Sequence, residues 1–286
     1  MPAELIEGKK IADRIKERLK KEIEELKGEG IVPSLSAIQV GESPGSKIYI
    51  RSQRRACEQV GIKYNLHQFE EAVSQEELEN FIDQLNKDEA VSGIILQMPL
   101  PSHLNARALQ ERINPKKDAE GITPVNMGLV LYGRPVLGPC TPMAIMELIN
   151  STGVDLYGKE VTVVGHSDIV GKPTALLLLN KFATTSVCHI ATGERGRVPY
   201  YVKNAEILIV AVGKANLIKG EWIKEGAIVI DVGINRVEGK IVGDVEFEVA
   251  KERASFITPV PGGVGPVTTA MLLKNTVKAA KLQVGK

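Results

Sequence analysis

Residues 161–173 read Val-Thr-Val-Val-Gly-His-Ser-Asp-Ile-Val-Gly-Lys-Pro. The apolar start predicts a buried strand, and the segment from Gly165 to Pro173 predicts a loop that opens a helix, since proline suits a first helical turn. Such a junction exposes backbone amides at a helix N-terminus, which favours a pyrophosphate. The spacing differs from GxGxxG, so glycines that merely close a tight turn remain a competing interpretation.

Short apolar runs and helical patterns alternate on both sides of this segment. Downstream, strands are predicted at 186–189, 207–212, 227–231 and 256–257. Upstream, strands at 35–40, 63–68 and 91–96 alternate with helices at 8–27 and 46–60, a turn at 41–45 and a Ser74/Glu77 capping box. The chain is therefore expected to be an α/β protein of two lobes, an N-terminal βα lobe and a Rossmann-type lobe with a doubly wound parallel sheet.

Composition points to a small-molecule partner. The 286 residues exceed one typical domain of about 100 to 200 residues. With 36 basic and 35 acidic residues, the net charge is too small to attract nucleic acid or an anionic membrane surface. Cys57, Cys140 and Cys188 are widely spaced, which argues against disulfides and thiolate metal sites and favours the cytoplasm. We expect no bound metal, no targeting segment and no membrane span.

The predicted second strand of the Rossmann-type lobe carries a cofactor signal of its own. An NAD enzyme is expected to place Asp or Glu at the end of this strand to hold the ribose hydroxyls, and residues 187–192 have neither. His166, Arg195 and Arg197 could instead meet a 2′-phosphate. NADP is therefore favoured, and Glu194 keeps NAD as an alternative.

Four segments together resemble the bifunctional methylenetetrahydrofolate dehydrogenase/cyclohydrolase family. They are 95–101, 139–142, 165–173 and the Thr-Pro-Val-Pro-Gly-Gly-Val-Gly-Pro-Val-Thr string at 258–268. The resemblance implies hydride transfer from methylenetetrahydrofolate to NADP, hydrolysis of the methenyl cation to 10-formyltetrahydrofolate, a homodimer and a link to purine biosynthesis. It also implies that the last helix, at about 267–282, returns to the first lobe. We therefore expect a folate-binding lobe at 1–121 plus 267–286 and a cofactor lobe at 122–266.

The resemblance also assigns site residues. Tyr49 would stack on the folate, and Thr268 would lie near the nicotinamide. The substrate set is Tyr49, Gln97, Met98, Glu120, Pro261 and Gly262. The cofactor set is Gly165, His166, Ser167, Val170, Gly171, His189, Gly213, Ile234 and Thr268.

Two positions depart from the family pattern. Gln53 stands where the family has a lysine that moves protons in the cyclohydrolase step, and a carboxamide cannot do so near neutral pH. Gln97, the family partner of that lysine, is expected to pair with Gln53 through their amides. Glu120 replaces an aspartate that grips the pterin. Tyr49, Gln53, Gln97 and Glu120 are the candidate catalytic residues.

These departures predict a dehydrogenase with weak or lost cyclohydrolase activity. A fully bifunctional enzyme is one alternative, and a non-catalytic folate- or nucleotide-binding protein is a second.

Overall fold

The computed structural model describes residues 2–41 and 44–285. The turn expected at 41–45 therefore falls partly outside the described residues, at Glu42 and Ser43. Among the described residues, no helix is both long and apolar enough to cross a membrane.

The strands are short, and those at the centres of the two larger sheets are buried. In chain order, the strands are β1 (Glu4–Leu5), β2 (Ser34–Val40), β3 (Lys63–Phe69), β4 (Gly93–Leu96), β5 (Glu160–Val164), β6 (Thr184–Cys188), β7 (Ile207–Val210), β8 (Ile228–Asp231), β9 (Asn235–Val237), β10 (Lys240–Val242) and β11 (Phe256–Ile257).

Helices separate most of these strands. They are α1 (Gly8–Gly28), α2 (Pro44–Val60), α3 (Gln75–Lys87), α4 (Ala106–Arg112), α5 (Pro124–Leu131), α6 (Cys140–Asn150), α7 (Gly171–Leu179), α8 (Ile190–Glu194), α9 (Val198–Asn204), α10 (Phe247–Arg253) and α11 (Val264–Gln283), with a 3-10 turn at Gly220–Trp222.

The chain divides into two compact units. The six-stranded unit comprises the described residues up to Ala12, Val130–Arg134 and Thr141–Thr268. The three-stranded unit comprises Asp13–Leu129, Pro135–Cys140 and the described residues from Thr269 onward. This division differs from the expected 1–121 boundary at the N-terminus, because β1 pairs with β11 and so joins residues 2–12 to the six-stranded sheet. It also places residues 122–129 and 135–140, which were expected in the cofactor lobe, in the three-stranded unit.

The six-stranded unit is built on a parallel sheet of order β1-β11-β8-β7-β5-β6. Val164 at the end of β5 pairs with Cys188 of β6 on one side and Val210 of β7 on the other. The strand order reverses between β5 and β7, and ligands of doubly wound sheets bind outside the carboxyl ends of strands at such a point. The expected α/β fold with a doubly wound parallel sheet is confirmed.

The three-stranded unit holds a parallel sheet of order β3-β2-β4. Its core forms where Ile38 and Ile94 of the sheet meet Leu78 and Ile82 of α3, all fully buried. Ser74 caps α3 by accepting a hydrogen bond from the Glu77 amide at 3.2 Å, as the capping-box pattern indicates.

Several predicted bounds shift by one to three residues in the structure, and two of these shifts concern candidate site residues. The strand expected at 186–189 is Thr184–Cys188, so His189 lies just beyond it. The final helix expected at 267–282 begins at Val264, because Pro266 is tolerated in a first helical turn, where its missing amide is not needed.

Candidate active site

Gln53 lies in a hydrogen-bonded polar cluster of the three-stranded unit. The Gln97 side-chain nitrogen donates to its carboxamide oxygen at 2.7 Å, and the Tyr64 hydroxyl donates to the same oxygen at 3.3 Å. Tyr64 lies on β3, and Gln97 follows β4, where its backbone amide is held by the Ile38 carbonyl at 2.9 Å. The expected amide pair is confirmed, and Tyr64 is a partner that the sequence did not indicate.

The titratable groups beside this pair stay protonated near neutral pH. Burial raises the pKa of the Tyr64 hydroxyl well above its usual range, and the neighbouring Cys57 raises it further. Burial, with a smaller contribution from Glu58, raises the pKa of the Cys57 thiol to about 12. The Arg54 guanidinium lies 5.8 Å from the centre of the Tyr64 ring. The groups around Gln53 can therefore form hydrogen bonds but cannot exchange a proton readily at pH 7.

Two large side chains close in sequence to the Gln53–Gln97 pair are exposed. Tyr49 precedes Gln53 by one helical turn on α2 and is 55% exposed, and Met98 follows the buried Gln97 and is 48% exposed. The peptide bond between Met98 and Pro99 is cis. A flat aromatic ring and a flexible thioether can cover the faces of a planar heterocycle, which suits their expected role in holding folate.

The loop that carries Glu120 is held rigidly by its neighbours. The buried Asp118 carboxylate accepts hydrogen bonds from the Gly121 amide at 2.9 Å, the Thr123 amide at 2.8 Å and the Asn126 side chain at 2.8 Å. Because Asp118 is engaged by the fold, Glu120 is the acid of this segment that remains for a ligand.

Glu120 has an unusual acidity. Burial, the larger cause, and the negative charge of Asp118 raise the pKa of Glu120 to about 8. At pH 7 the side chain is therefore mainly a neutral acid that can donate a hydrogen bond as well as accept one. This property adds to the longer side chain that distinguishes Glu120 from aspartate.

Asn275 fixes the chain next to Glu120. Its side-chain nitrogen donates to the Ala119 carbonyl at 2.9 Å and to the Gly138 carbonyl at 2.8 Å, and the Cys140 thiol donates to Ala119 at 3.3 Å. Asn275 was not predicted as a site residue. The one signal in the sequence is an amide side chain within the largely apolar segment that forms helix α11, and the structure buries this side chain.

The cofactor loop of the six-stranded unit depends on close backbone packing. A Cβ at Gly171 would lie 2.1 Å from the Gly165 carbonyl oxygen, and one at Gly165 would lie 2.2 Å from the Ala211 carbonyl oxygen. Gly165 also has a φ of +121°. Both glycines are therefore required by the turn itself, whatever the loop binds.

The helix N-terminus after this loop is less open than the sequence suggests. The Ser167 hydroxyl accepts from the Val170 amide at 3.2 Å and from the Gly171 amide at 3.4 Å. Two amides that we expected to face a pyrophosphate are thus already capped. These two amides are therefore not free, which differs from the expectation of unpaired amides at this helix start.

Charged side chains near the loop are partly paired. Lys172 forms an ion pair with Asp168 at 2.5 Å, and the Arg197 guanidinium stacks over the Tyr200 ring at 4.4 Å. The His166 and His189 rings face each other with centroids 5.2 Å apart.

Two buried carboxylates shape the neighbouring loops. Asp244 accepts from the Val212 amide at 2.7 Å and the Gly213 amide at 2.9 Å. Asp231 accepts from the Gly233 amide at 2.9 Å and, like Asp244, is almost fully buried. The Gly213 amide is therefore engaged by Asp244, which the sequence did not single out. Ile234 follows this region and is 56% exposed.

The glycines of the 258–268 segment differ in how closely other backbone atoms pack against them. A Cβ at Gly8 would lie 1.7 Å from the Gly263 carbonyl oxygen, so this pair allows two backbones to touch. Gly262 has a φ of +108°, and a Cβ there would meet nothing closer than 4.0 Å. Gly262, beside the exposed Pro261, is thus the position where a ligand could approach the backbone. Thr268 is half-buried and donates to the Val264 carbonyl at 3.2 Å.

Two family models cover most of the chain. The catalytic domain of tetrahydrofolate dehydrogenase/cyclohydrolase matches residues 6–120, and its NAD(P)-binding domain matches residues 139–284. The chain belongs to the tetrahydrofolate dehydrogenase/cyclohydrolase family. The expected family is confirmed. It is a family of enzymes of folate one-carbon metabolism that use a nicotinamide cofactor.

Individual members of the tetrahydrofolate dehydrogenase/cyclohydrolase family match over nearly their whole length. The chain is 51% identical to the bifunctional protein FolD of Bacillus subtilis, covering 98% of this chain and 99% of that protein. The crystal structure of FolD from Campylobacter jejuni is 46% identical, with a TM-score of 0.94 over 98% of this chain and 99% of the other. The Trypanosoma brucei FolD structure, complexed with NADP cofactor and an inhibitor, is 41% identical, with a TM-score of 0.95 over the full length of both chains.

Proposed function

We propose that this member of the tetrahydrofolate dehydrogenase/cyclohydrolase family is an NADP-dependent methylenetetrahydrofolate dehydrogenase whose cyclohydrolase step is weak or lost. One observation carries the proposal: Gln53 is held by the Gln97 amide at 2.7 Å, and the described titratable groups beside it, Cys57 and Tyr64, have pKa values raised far above neutral pH. The family resemblance gives a lysine at this position.

Hydrolysis of the methenyl cation needs a proton acceptor. Water must lose a proton as it attacks, and a later step must return one to the folate. A carboxamide provides neither function at pH 7. The Gln53 oxygen already accepts from Gln97 and Tyr64, so it is also poorly placed to polarise a water molecule.

The hydride step has different requirements. It depends mainly on holding the folate methylene carbon against the nicotinamide, and the bound NADP supplies the hydride acceptor. The side chains proposed to hold the folate are Tyr49, Gln97, Met98 and Glu120, with the backbone at Pro261 and Gly262. None of these roles requires an amine at position 53.

The structure offers features that fit a nicotinamide cofactor with a 2′-phosphate. Gly165 and Gly171 allow the tight turn after β5, and exposed His166 and His189 lie at the ends of adjacent strands. The absence of a carboxylate at positions 187–192 and the NADP bound to the related Trypanosoma brucei protein support NADP over NAD.

A fully bifunctional enzyme is the second candidate, and one observation favours it. With its pKa raised to about 8, Glu120 can both take up and release a proton near neutral pH. If Glu120 replaces the family lysine in proton transfer, the cyclohydrolase step survives. A non-catalytic folate- or nucleotide-binding protein is the third candidate.

One experiment separates the three. The purified protein is mixed with methylenetetrahydrofolate and NADP to follow cofactor reduction, and separately with methenyltetrahydrofolate to follow its loss of absorbance. We expect NADP reduction and a decay of the methenyl compound close to that in buffer. Rapid decay that Glu120→Gln abolishes would establish the second candidate, and ligand binding without NADP reduction would establish the third.

Three further expectations accompany this function. We expect a homodimer, because β6 is an edge strand and the nearby Phe182 and Ile190 are 73% and 76% exposed. Light scattering on the eluted peak of a sizing column would measure the mass. A cytoplasmic location is supported by three buried, unpaired cysteines. A contribution of one-carbon units to purine biosynthesis follows from the proposed product.

A further inference from the structure

We propose that Asp244 is a positioning residue for the nicotinamide half of the cofactor. Its carboxylate fixes the spacing of the two backbone segments at Gly213 and Ile234, the residues proposed to border that cofactor. The role rests on the proposed dehydrogenase function and adds to it a fully buried side chain that acts through its neighbours.

The two segments follow neighbouring strands of the six-stranded sheet. Strands β7 and β8 are parallel, and Val210 pairs with Asp231 at their carboxyl ends. Gly213 and Ile234 each lie three residues beyond these paired residues. A doubly wound sheet holds a dinucleotide across two halves, with the adenosine ribose on the first, and β7 and β8 belong to the second. The segments after β7 and β8 are therefore the ones suited to the nicotinamide half.

The Asp244 carboxylate joins these segments directly. One oxygen, Oδ2, accepts from the Val212 amide at 2.7 Å and from the Gly213 amide at 2.9 Å. The other, Oδ1, accepts from the side-chain nitrogen of Asn235 at 2.8 Å, and Asn235 directly follows Ile234. A carboxylate can accept all three hydrogen bonds at once, whereas a carboxamide has a single acceptor oxygen. The charge and shape of aspartate are thus both used.

Asp231 in turn fixes Asp244. Its Oδ1 accepts from the Asp244 amide at 3.0 Å and from the Gly233 amide at 2.9 Å, and its Oδ2 accepts from the Val245 amide at 2.9 Å. A Cβ at Gly233 would lie 2.3 Å from the Asp244 carboxyl carbon, and one at Gly243 would lie 1.9 Å from the Asp231 Oδ2. Each carboxylate therefore packs against backbone that leaves it no room to move.

The outer surfaces of the two segments stay accessible to a ligand. Gly213 has a φ of +67°, and a Cβ there would meet no described atom within 4 Å. The Ile234 side chain is exposed. Hydride transfer requires the nicotinamide and the folate methylene carbon to be held close together, and a displacement of about 1 Å can cost about 100-fold in rate. A buried carboxylate that sets the spacing of the segments can therefore control this rate without touching either reactant.

Ligand binding tests the role without any turnover. Dissociation constants of NADP and 2′,5′-ADP are measured by calorimetry for the unmodified protein and for Asp244→Asn. The two ligands share the adenosine with its 2′- and 5′-phosphates, so their ratio isolates the nicotinamide half. We expect the variant to bind NADP about tenfold more weakly and 2′,5′-ADP within about twofold of the unmodified protein. Equal weakening of both ligands, or of neither, would overturn the role.

A second variant decides the question if Asp244→Asn does not fold. Asn235→Ala removes only the contact to Oδ1 and leaves both backbone amides bound to Oδ2. It should weaken NADP selectively as well, by about threefold. Urea unfolding of each variant shows whether it is folded. An Asn235→Ala protein that is folded and binds both ligands normally would contradict the proposed spacing of the two segments.

Kinetics distinguish positioning from a general loss of structure. In Asp244→Asn, kcat should fall about tenfold or more, with the KM for methylenetetrahydrofolate within about twofold. The isotope effect on kcat with deuterium at the methylene carbon should increase, because hydride transfer becomes slower than product release. A lower kcat with an unchanged isotope effect would mean only that less protein is active, and it would contradict the role.

Glu206→Gln is the matched control. This carboxylate accepts from Lys159 at 2.8 Å and from the Glu160 amide at 3.0 Å, at the opposite end of the same sheet. It should change neither the ligand ratio nor the isotope effect. If the unmodified protein binds NADP but does not reduce it, the dehydrogenase proposal fails, and the ligand ratio still decides whether Asp244 positions the nicotinamide half.

Discussion

The side-chain nitrogen of Gln97 donates a hydrogen bond to the carboxamide oxygen of Gln53 at 2.7 Å. Gln97 is buried and its backbone is fixed to the central strand β2, so the position of the Gln53 amide is set by the sheet as well as by its own helix. A neutral amide pair in this place is stable without any ionisable group. In the proposed function, this pair determines whether the protein catalyses the cyclohydrolase step as well as the dehydrogenase step.

Gln53→Lys should increase cyclohydrolase activity by at least about tenfold, because the new amine can exchange protons with the attacking water. The rate of NADP reduction should stay within about tenfold of that of the unmodified protein, which corresponds to ~1.4 kcal/mol in the activation barrier. Both rates are measured by absorbance on one preparation. Ser52→Lys adds the same charge to an exposed position of the same helix and should change neither rate. An unchanged hydrolysis rate in Gln53→Lys would show that residue 53 does not control this step.

Tyr64→Phe removes the second donor to the Gln53 oxygen, 3.3 Å away. We expect the free energy of unfolding to fall by about 1 kcal/mol and the KM for methylenetetrahydrofolate to rise with little change in kcat. Urea unfolding and initial rates measure the two effects. Tyr157→Phe is the control because that side chain is 73% exposed. Equal behaviour of the two variants would mean that the Tyr64 hydroxyl does not support the site.

Glu120 should make folding stability depend on pH. Its pKa is raised from the usual 4.5 to about 8 by burial and by Asp118, so the folded state holds this proton more tightly than the unfolded state. The stability linked to the proton is complete below pH 4.5 and is lost as the pH rises through 8.

The stability of Glu120→Gln relative to the unmodified protein should therefore increase between pH 5 and 8 and then level off. Urea midpoints at pH 5, 7 and 9 measure the difference, and Glu89→Gln, at an exposed position, is the control. A difference that stays constant over this range would contradict the raised pKa.

Asn275→Ala should lower the free energy of unfolding by about 1 to 3 kcal/mol, since it removes the side-chain donor to the buried Gly138 carbonyl and leaves the Ala119 carbonyl with the Cys140 thiol alone. Asn275→Asp should cost more at pH 8, because a carboxylate would face two carbonyl oxygens. Denaturant titration measures both. Asn150→Ala, at an exposed helix end, should change stability by less than about 0.5 kcal/mol. Stability losses of the same size in all three would rule out this role.

Gly171→Ala should destabilise the six-stranded unit by about 3 kcal/mol, because the added methyl carbon would lie 2.1 Å from the Gly165 carbonyl oxygen. It should also weaken NADP binding as the loop shifts, which a fluorescence titration would detect. Gly28→Ala is the matched control, since a Cβ there meets nothing within 4 Å and alanine favours helix. Wild-type stability in Gly171→Ala would show that the turn can relax.

Elements with a complete periodic pattern could be predicted from the sequence. The helix expected at 8–27 is Gly8–Gly28, because Ile11, Ile15 and Leu19 all face a core and are buried. The start of β6 could not be placed, because Thr184 and Thr185 lie on an edge strand that has one neighbour and needs no apolar run.

Within the candidate site, the Gln53–Gln97 pair was predictable because a family motif supplied both positions. Tyr64 and Asn275 were not, because their contacts depend on how distant segments pack. The Asn275 side chain and Ala119 are 156 residues apart in sequence, so no local sequence pattern could predict their contact. The hydrogen bond from the Val170 amide to the Ser167 hydroxyl was not predictable either, although both residues lie in one loop, because it depends on how the loop folds.

The pairing of β1 with β11 has a consequence for how the protein is made. Glu4 and Leu5 are synthesised long before their partners Phe256 and Ile257. The outer part of the sheet therefore cannot be completed until Ile257 has been made, and Gly8 must likewise wait for Gly263. Nascent chains that have not yet reached Ile257 should expose an unpaired strand edge, which makes this interval of synthesis the one most prone to aggregation.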